Sequence, residues 1–154
     1  MALTWPLCVS LADSAATFQF GAQLAAILRP GDVVALHGDL GAGKTALARA
    51  IIQAHINSTA PVPSPTFTLV QHYVTTHGTI WHFDLYRLKH ADEIFELGWE
   101  DALTNGIMLV EWPERAGNYL PDRALHCTLT TPSEGGRLAT CSGDSWDTRL
   151  DGIF

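Results

Sequence analysis

Stretches of helical periodicity alternate with short apolar runs in the first third of the chain. Residues 14–28 place apolar side chains on one helical face, with Asp13 or Ser14 as the N-terminal cap. Residues 45–55 repeat that spacing and predict a second helix. Between them, residues 32–37 form a continuous apolar run, which is typical of a buried parallel strand.

The remaining pattern predicts short strands, two small helical segments and a closing hairpin. Pro6 places the first strand at a sheet edge, since proline has no N–H for a neighbouring strand. Asp92 is the expected cap of the first helical segment, and Gly98 its stop. The predicted strands cover residues 4–11, 67–74, 79–84, 107–111, 124–129 and 138–141, and the helical segments cover 92–97 and 99–104.

This alternation predicts an α/β fold with a mainly parallel central sheet, flanking helices and antiparallel strands at the margin. The chain has 154 residues, of which 47% are hydrophobic, enough for one packed domain. We expect that domain to span residues 1–141. Residues 142–154 are mostly polar, so we expect a poorly ordered C-terminal tail.

A glycine-rich segment follows the strand at 32–37 and matches the pattern of a phosphate-binding loop (P-loop) completely. Its glycines permit close backbone approach, so that successive N–H groups can surround phosphate oxygens. Lys44 would contact the β- and γ-phosphates, and the Thr45 hydroxyl would bind Mg²⁺. The segment consists of Gly38, Asp39, Leu40, Gly41, Ala42, Gly43, Lys44 and Thr45.

Two carboxylates end predicted strands and could complete such a site. Asp84 and Glu111 each follow an apolar run, and parallel strands converge on a ligand crevice at their carboxyl ends. The shorter Asp84 suits the metal, and Glu111 suits a water-positioning or general-base role on the γ-phosphate side. These two roles could be exchanged.

Two further residues are candidates with open alternatives. Thr66, in Ser64-Pro65-Thr66-Phe67, could meet Mg²⁺ or the γ-phosphate, or could belong to a plain turn. Trp112 could pack near the nucleotide or in the core. The seven histidines show no metal-ligand spacing, so we interpret them as surface or core residues.

Charge and composition narrow the functional class. The net charge is −7 and the nine Lys and Arg residues are dispersed, so the chain is poorly equipped to grip nucleic acid by itself. Three scattered cysteines predict neither a disulfide framework nor a zinc site and favour a reducing cytoplasm. No apolar stretch approaches the ~20 residues that span a bilayer, and we expect no signal peptide.

The motifs in their order resemble the bacterial TsaE (YjeE-type) ATPases of tRNA threonylcarbamoyladenosine synthesis. The resemblance runs from about residue 11 to about 130. It is carried by GDLGAGKT at 38–45, SPTF at 64–67, HFDLYRL at 82–88, DEIFELG at 92–98 and EW at 111–112.

The resemblance implies a small, cytoplasmic, weak ATPase that uses ATP and Mg²⁺ and acts with the TsaB and TsaD proteins. In that family TsaD attaches the threonylcarbamoyl group to tRNA, and ATP hydrolysis by TsaE supports repeated turnover, so tRNA would be met only through the complex. By motif match, the resemblance assigns phosphate and metal roles to Lys44 and Thr45, a switch role to Thr66 and a metal role to Asp84. Glu111 and Trp112 take the remaining positions near the nucleotide.

Two other functions are compatible with the same phosphate-binding loop. A small-molecule kinase would share the loop but needs an acceptor pocket and an arginine-bearing lid, and only Arg87 and Arg115 lie near the predicted site. A nucleotide-dependent scaffold without useful hydrolysis is the second alternative. ATP is preferred over GTP because the sequence has no Asn-Lys-x-Asp tetrad for guanine.

Overall fold

Seven strands form one mixed sheet in the computed structural model, which describes residues 5–154. The sheet order is β1-β7-β6-β2-β5-β4-β3. Thr4, the first residue of the predicted edge strand, lies outside the described residues. The strands are β1 Leu7–Leu11, β2 Val33–His37, β3 Val70–Thr75, β4 Gly78–Asp84, β5 Gly106–Glu111, β6 Leu125–Thr130 and β7 Arg137–Ser142.

Helices and two 3₁₀ segments pack on this sheet. The helices are α1 Ser14–Ile27, α2 Lys44–Ile56, α3 Trp99–Asn105 and α4 Trp146–Asp151, and the 3₁₀ segments are Ala91–Leu97 and Pro113–Tyr119. Within residues 5–154, none of the helices has the length and apolar character needed to cross a bilayer.

The centre of the sheet is parallel and its margins are antiparallel, as the sequence predicts. β2 pairs in parallel with both β5 and β6, and β5 pairs in parallel with β4. β3 runs antiparallel to β4 at one margin, and β7 runs antiparallel to both β6 and β1 at the other. The carboxyl ends of β2, β4 and β5 therefore lie at the same edge of the sheet.

The central strands are buried on both faces, because successive side chains of a strand point to opposite sides. In β2, Val34 and Leu36 join the cluster that packs under α1 and α2, whereas Val33 and Ala35 join the cluster under α3. All four are at most 1% exposed. This double burial explains why β2 appears in the sequence as an unbroken apolar run.

Most local signals are confirmed, with two corrections in the middle of the chain. The Asp13 carboxylate caps α1 by accepting from the N–H of Ala16 at 2.9 Å. The segment 91–97 begins after His90 and not at Asp92, because the Glu93 carboxylate accepts from the His90 N–H at 2.7 Å. β3 begins later than predicted, since Leu69 adopts a left-handed conformation (φ 68°) that closes a turn.

The C-terminal segment differs from the poorly ordered tail that its polar composition suggests. Trp146 and Leu150 of α4 are 3% and 0% exposed and belong to the larger core cluster. Arg149 donates to both carboxylate oxygens of Asp32, at 2.8 and 2.7 Å, and to the Ile27 carbonyl. These contacts reach more than a hundred residues back along the chain, so a local reading of composition does not find them.

We expect Leu150→Ala to lower the free energy of unfolding by about 2–5 kcal/mol, because it removes a fully buried side chain and leaves a cavity. Thr148→Ala, on the exposed face of α4, is the matched control and should change stability by less than about 0.5 kcal/mol. Urea denaturation measures both. Equal stability of the two variants would show that α4 is not packed in solution.

Candidate functional site

The glycine-rich loop joins the end of β2 to the start of α2, and its shape requires glycine at two positions. Gly38 has a φ of 145°, and a Cβ there would lie 2.7 Å from the Leu129 carbonyl oxygen. Gly43 has a φ of 109°, and a Cβ would lie 2.8 Å from the Arg137 side chain. Since α2 begins at Lys44, its N-terminus and positive dipole end face the loop, an arrangement that favours anions.

Lys44 is held inside the loop. Its ammonium group donates to the carbonyl of Gly38 and, at 2.9 Å, to the carbonyl of Asp39. The Nζ atom also lies 4.0 Å from the centre of the Trp112 ring, which is cation–π distance. Burial lowers the pKa of Lys44, while the charges of Glu111 and Asp84 oppose that shift.

Asp84 and Glu111 lie side by side at the ends of neighbouring strands. The parallel register pairs them directly across β4 and β5. Both are buried, at 6% and 2% exposed. Burial of this kind is costly for a carboxylate unless hydrogen bonds or cations compensate.

The two Glu111 oxygens have separate donors. The Thr45 hydroxyl donates to Oε1 at 2.7 Å. The ring of His82, itself fully buried, lies with Nε2 2.6 Å from Oε2. Glu111 is therefore fixed between the first turn of α2 and the middle of the sheet.

Asp84 has a different set of partners. Its Oδ1 accepts from the backbone N–H of Tyr86 at 3.1 Å, and its Oδ2 lies 3.5 Å from the Thr66 hydroxyl. Thr66 is in turn 2.7 Å from the Ser64 hydroxyl. Burial raises the pKa of Asp84, and the charge of Glu111 raises it further, whereas the Tyr86 hydrogen bond lowers it.

Trp112 occupies a strained backbone conformation. Its φ and ψ are 57° and 52°, in the left-handed region that a non-glycine residue enters at a cost of about 1–3 kcal/mol. This turn ends β5 and directs the indole ring to Lys44 and to Tyr86, whose ring centre is 4.9 Å away.

A cleft of about 320 Å³ opens between these groups. Thr66 and five loop residues line it together with both carboxylates, whereas the loop residues Gly38, Asp39 and Ala42 do not line it. A larger groove of about 1320 Å³ lies at the opposite end of the sheet, and none of the site residues predicted from the sequence line it. The cleft is lined by Leu40, Gly41, Gly43, Lys44, Thr45, Ala46, Thr66, Asp84, Tyr86, Arg87, Glu111 and Trp112.

The chemistry of these donors fits a magnesium–phosphate ligand. Mg²⁺ prefers oxygen ligands and is commonly held by one or two carboxylates with the remaining positions from water and phosphate. Thr45, Asp84 and Glu111 line the cleft and carry such oxygens. The Lys44 ammonium and the N-terminus of α2 face the same cleft and suit phosphate oxygens.

Sequence reasoning missed several residues that contact this site, among them Tyr86, His82 and Arg137. From the sequence alone His82 is an ordinary surface or core histidine, although its spacing of two from Asp84 places both on one face of β4. Arg137 donates from Nη2 to the Gly41 carbonyl at 3.0 Å. No local signal identifies Arg137, because β7 reaches the loop only through the closing hairpin.

Comparisons with known proteins agree on one family. The family model described as threonylcarbamoyl adenosine biosynthesis protein TsaE matches residues 11–139. The protein of Rickettsia felis named tRNA threonylcarbamoyladenosine biosynthesis protein TsaE is 42% identical over 127 residues, covering 82% of this chain and 74% of the relative. A protein of the same name from Nostoc is 38% identical over 135 residues, covering 85% and 82%.

A solved structure shares the fold of this chain. The crystal structure of Bacillus subtilis YdiB superposes with a TM-score of 0.74 and 27% identity. The match covers 94% of this chain and 90% of that one.

We expect nucleotide addition to change the fluorescence of Trp112, because its ring lies against Lys44 at the wall of the cleft. The chain has five tryptophans, so wild type is compared with Trp112→Phe in an emission titration with Mg²⁺ and ATP. The variant should lose most of the response while Trp99→Phe, altered in the buried core, retains it. An undiminished response in Trp112→Phe would place the nucleotide elsewhere.

Proposed function

Because the chain belongs to the TsaE family, we propose that it binds and hydrolyses ATP with Mg²⁺ in support of threonylcarbamoyladenosine formation in tRNA. One observation carries the proposal. Lys44 and Thr45 of the loop share a single cleft with two buried carboxylates, Asp84 and Glu111, from neighbouring parallel strands. That combination is the one that phosphoryl-transfer sites of this class require.

Phosphate binding falls to the loop and the start of α2. Backbone N–H groups and the helix dipole favour the negatively charged oxygens. Lys44 adds a full positive charge, and its flexible stem lets the ammonium move from the loop carbonyls to a phosphate. Trp112 limits the water around that ammonium by covering one side of it.

Thr45 and Asp84 would hold the metal. When bound, Mg²⁺ neutralises charge on the β- and γ-phosphate oxygens. Thr45 can turn its hydroxyl from Glu111 towards the cleft, and Asp84 keeps one oxygen fixed by the Tyr86 N–H. Thr66 contacts Asp84 and belongs to the loop between α2 and β3. A change in the position of Asp84 would therefore alter a contact made by that loop.

Glu111 would orient the attacking water and accept its proton. A carboxylate in this role must be held within hydrogen-bond reach of the water, and positioned proton transfer contributes about 10²–10⁴-fold to rate. The Thr45–Glu111 hydrogen bond also places Glu111 close to the proposed metal ligand, so Glu111 and Asp84 are each within reach of either role.

The proposed partners are the TsaB and TsaD proteins in the cytoplasm, with tRNA held by them. The net charge of −7 supports tRNA binding by the partners, because this chain has no run of basic residues with which to bind tRNA phosphates. Phe67 is 81% exposed and lies under the guanidinium of Arg87, which lines the cleft, so it offers a contact surface close to the proposed nucleotide site.

ATP hydrolysis by the purified chain should be slow alone and faster with TsaB and TsaD added. Lys44→Ala should abolish nucleotide binding and the stimulated rate, since it removes the cation that faces the phosphates. Phosphate release is measured with and without the partners, and Lys89→Ala, outside the cleft, is the control. Hydrolysis that ignores the partners would favour a stand-alone ATPase, and phosphate transfer to a small acceptor would favour a kinase.

Asp84→Ala should weaken ATP binding in the presence of Mg²⁺ more than in its absence, because the change removes a metal ligand and leaves the loop intact. Binding is measured by calorimetry with Mg²⁺ and with a chelator. Glu111→Gln is the matched comparison and should bind MgATP but hydrolyse it poorly. A metal-dependent loss in Glu111→Gln with none in Asp84→Ala would exchange the two roles.

A further inference from the structure

The geometry points to a role for His82 that goes beyond the residues assigned above. We infer that His82 is a positioning residue, which fixes the Glu111 carboxylate in the orientation needed for hydrolysis. The inference rests on the proposed ATP hydrolysis and extends it to a side chain that does not line the cleft.

The contact between the two side chains is short and buried. His82 Nε2 and Glu111 Oε2 are 2.6 Å apart, and His82 has no exposed surface. A carboxylate oxygen accepts hydrogen bonds, so the imidazole must donate from Nε2. Charge-assisted hydrogen bonds of this length between buried groups are among the stronger ones in proteins.

The strands give this contact its direction. His82 and Asp84 are two residues apart on β4, so their side chains share one face of the sheet. His82 lies one step further from the cleft than Asp84, level with Leu109 of β5. It therefore holds Glu111 from behind, through Oε2, while Oε1 points to Thr45 at the wall of the cleft.

Thr45 cannot be a lasting anchor for Glu111 if it binds Mg²⁺. In the part of the chain that the structure describes, the hydrogen bonds of the Glu111 carboxylate are those to Thr45 and His82. Once the Thr45 hydroxyl turns to the metal, His82 is the remaining group that restricts rotation of the carboxylate. A misplacement of about 1 Å in a reacting group can cost 10²-fold in rate.

A purely structural role for His82 predicts something different. The second ring nitrogen, Nδ1, is buried and has no hydrogen-bond partner among residues 5–154, which is a net cost to folding. If His82 served packing alone, replacement would change stability and leave the chemical step unaltered. If it positions Glu111, replacement lowers kcat while the affinity for MgATP, set mainly by the loop, is retained.

Two amide variants separate these readings. The side-chain nitrogen of Gln reaches about as far as Nε2 of histidine, whereas that of Asn stops near Nδ1, so His82→Gln keeps a donor for Glu111 and His82→Asn does not. We expect His82→Asn to lower the partner-stimulated kcat about 10–100-fold, as loss of supporting hydrogen bonds does at other sites. KM should change by less than about threefold, and His82→Gln should restore most of the rate.

Thermal unfolding of each variant is recorded alongside the kinetics, and His82→Leu replaces the Asn variant if that protein does not fold. Wild-type kcat in the variant without a donor, a rise in KM alone, or equal losses in the Gln and donor-free variants would overturn the inference and leave ATP hydrolysis standing. Absence of ATP hydrolysis by the wild-type chain with TsaB and TsaD would instead overturn the proposed function, and the inference with it.

Discussion

The parallel register of β4 against β5 is the constraint on which the site depends. It sets Asp84 level with Glu111 at one edge of the sheet, where β2 also ends and the loop begins. Two buried carboxylates at neighbouring positions repel each other, and this proximity contributes to the raised pKa of Asp84. The surrounding donors, from Thr45, Tyr86 and His82, offset that cost through hydrogen bonds to particular oxygens.

The same two carboxylates offset part of the cost of burying the lysine. Burial lowers the pKa of Lys44, and the carboxylates, above all Glu111 and Asp84, counteract it. The loop carbonyls and the Trp112 ring stabilise the ammonium without neutralising it, because neither carries a net charge. The charged groups are thus held close together in a low-dielectric environment, where their interactions are stronger than in water. A protein accepts such an arrangement at a cost to stability where function requires it.

The sequence predicts the parts of the site that local patterns encode. The loop motif, the apolar run of β2 and the carboxylates that end β4 and β5 identify the fold class, and the family comparisons confirm the resemblance that these motifs carry. His82 could not be singled out in this way, since its importance lies in a contact with Glu111 across two strands. The packing of α4 was missed for the same reason, because Asp32 and Arg149 meet only after the chain has folded.

Trp112 both ends β5 and begins the 3₁₀ segment that follows it. Its left-handed backbone stops β5 directly after Glu111 and starts the 3₁₀ segment Pro113–Tyr119. A single strained residue, Trp112, therefore joins Glu111 at the cleft to the 3₁₀ segment that begins at Pro113. That segment packs against the other 3₁₀ segment through Phe95 and Tyr119, whose rings are 4.8 Å apart and partly exposed. The chain thus leads from Glu111 through Trp112 and a kink at Gly117 to an exposed aromatic pair.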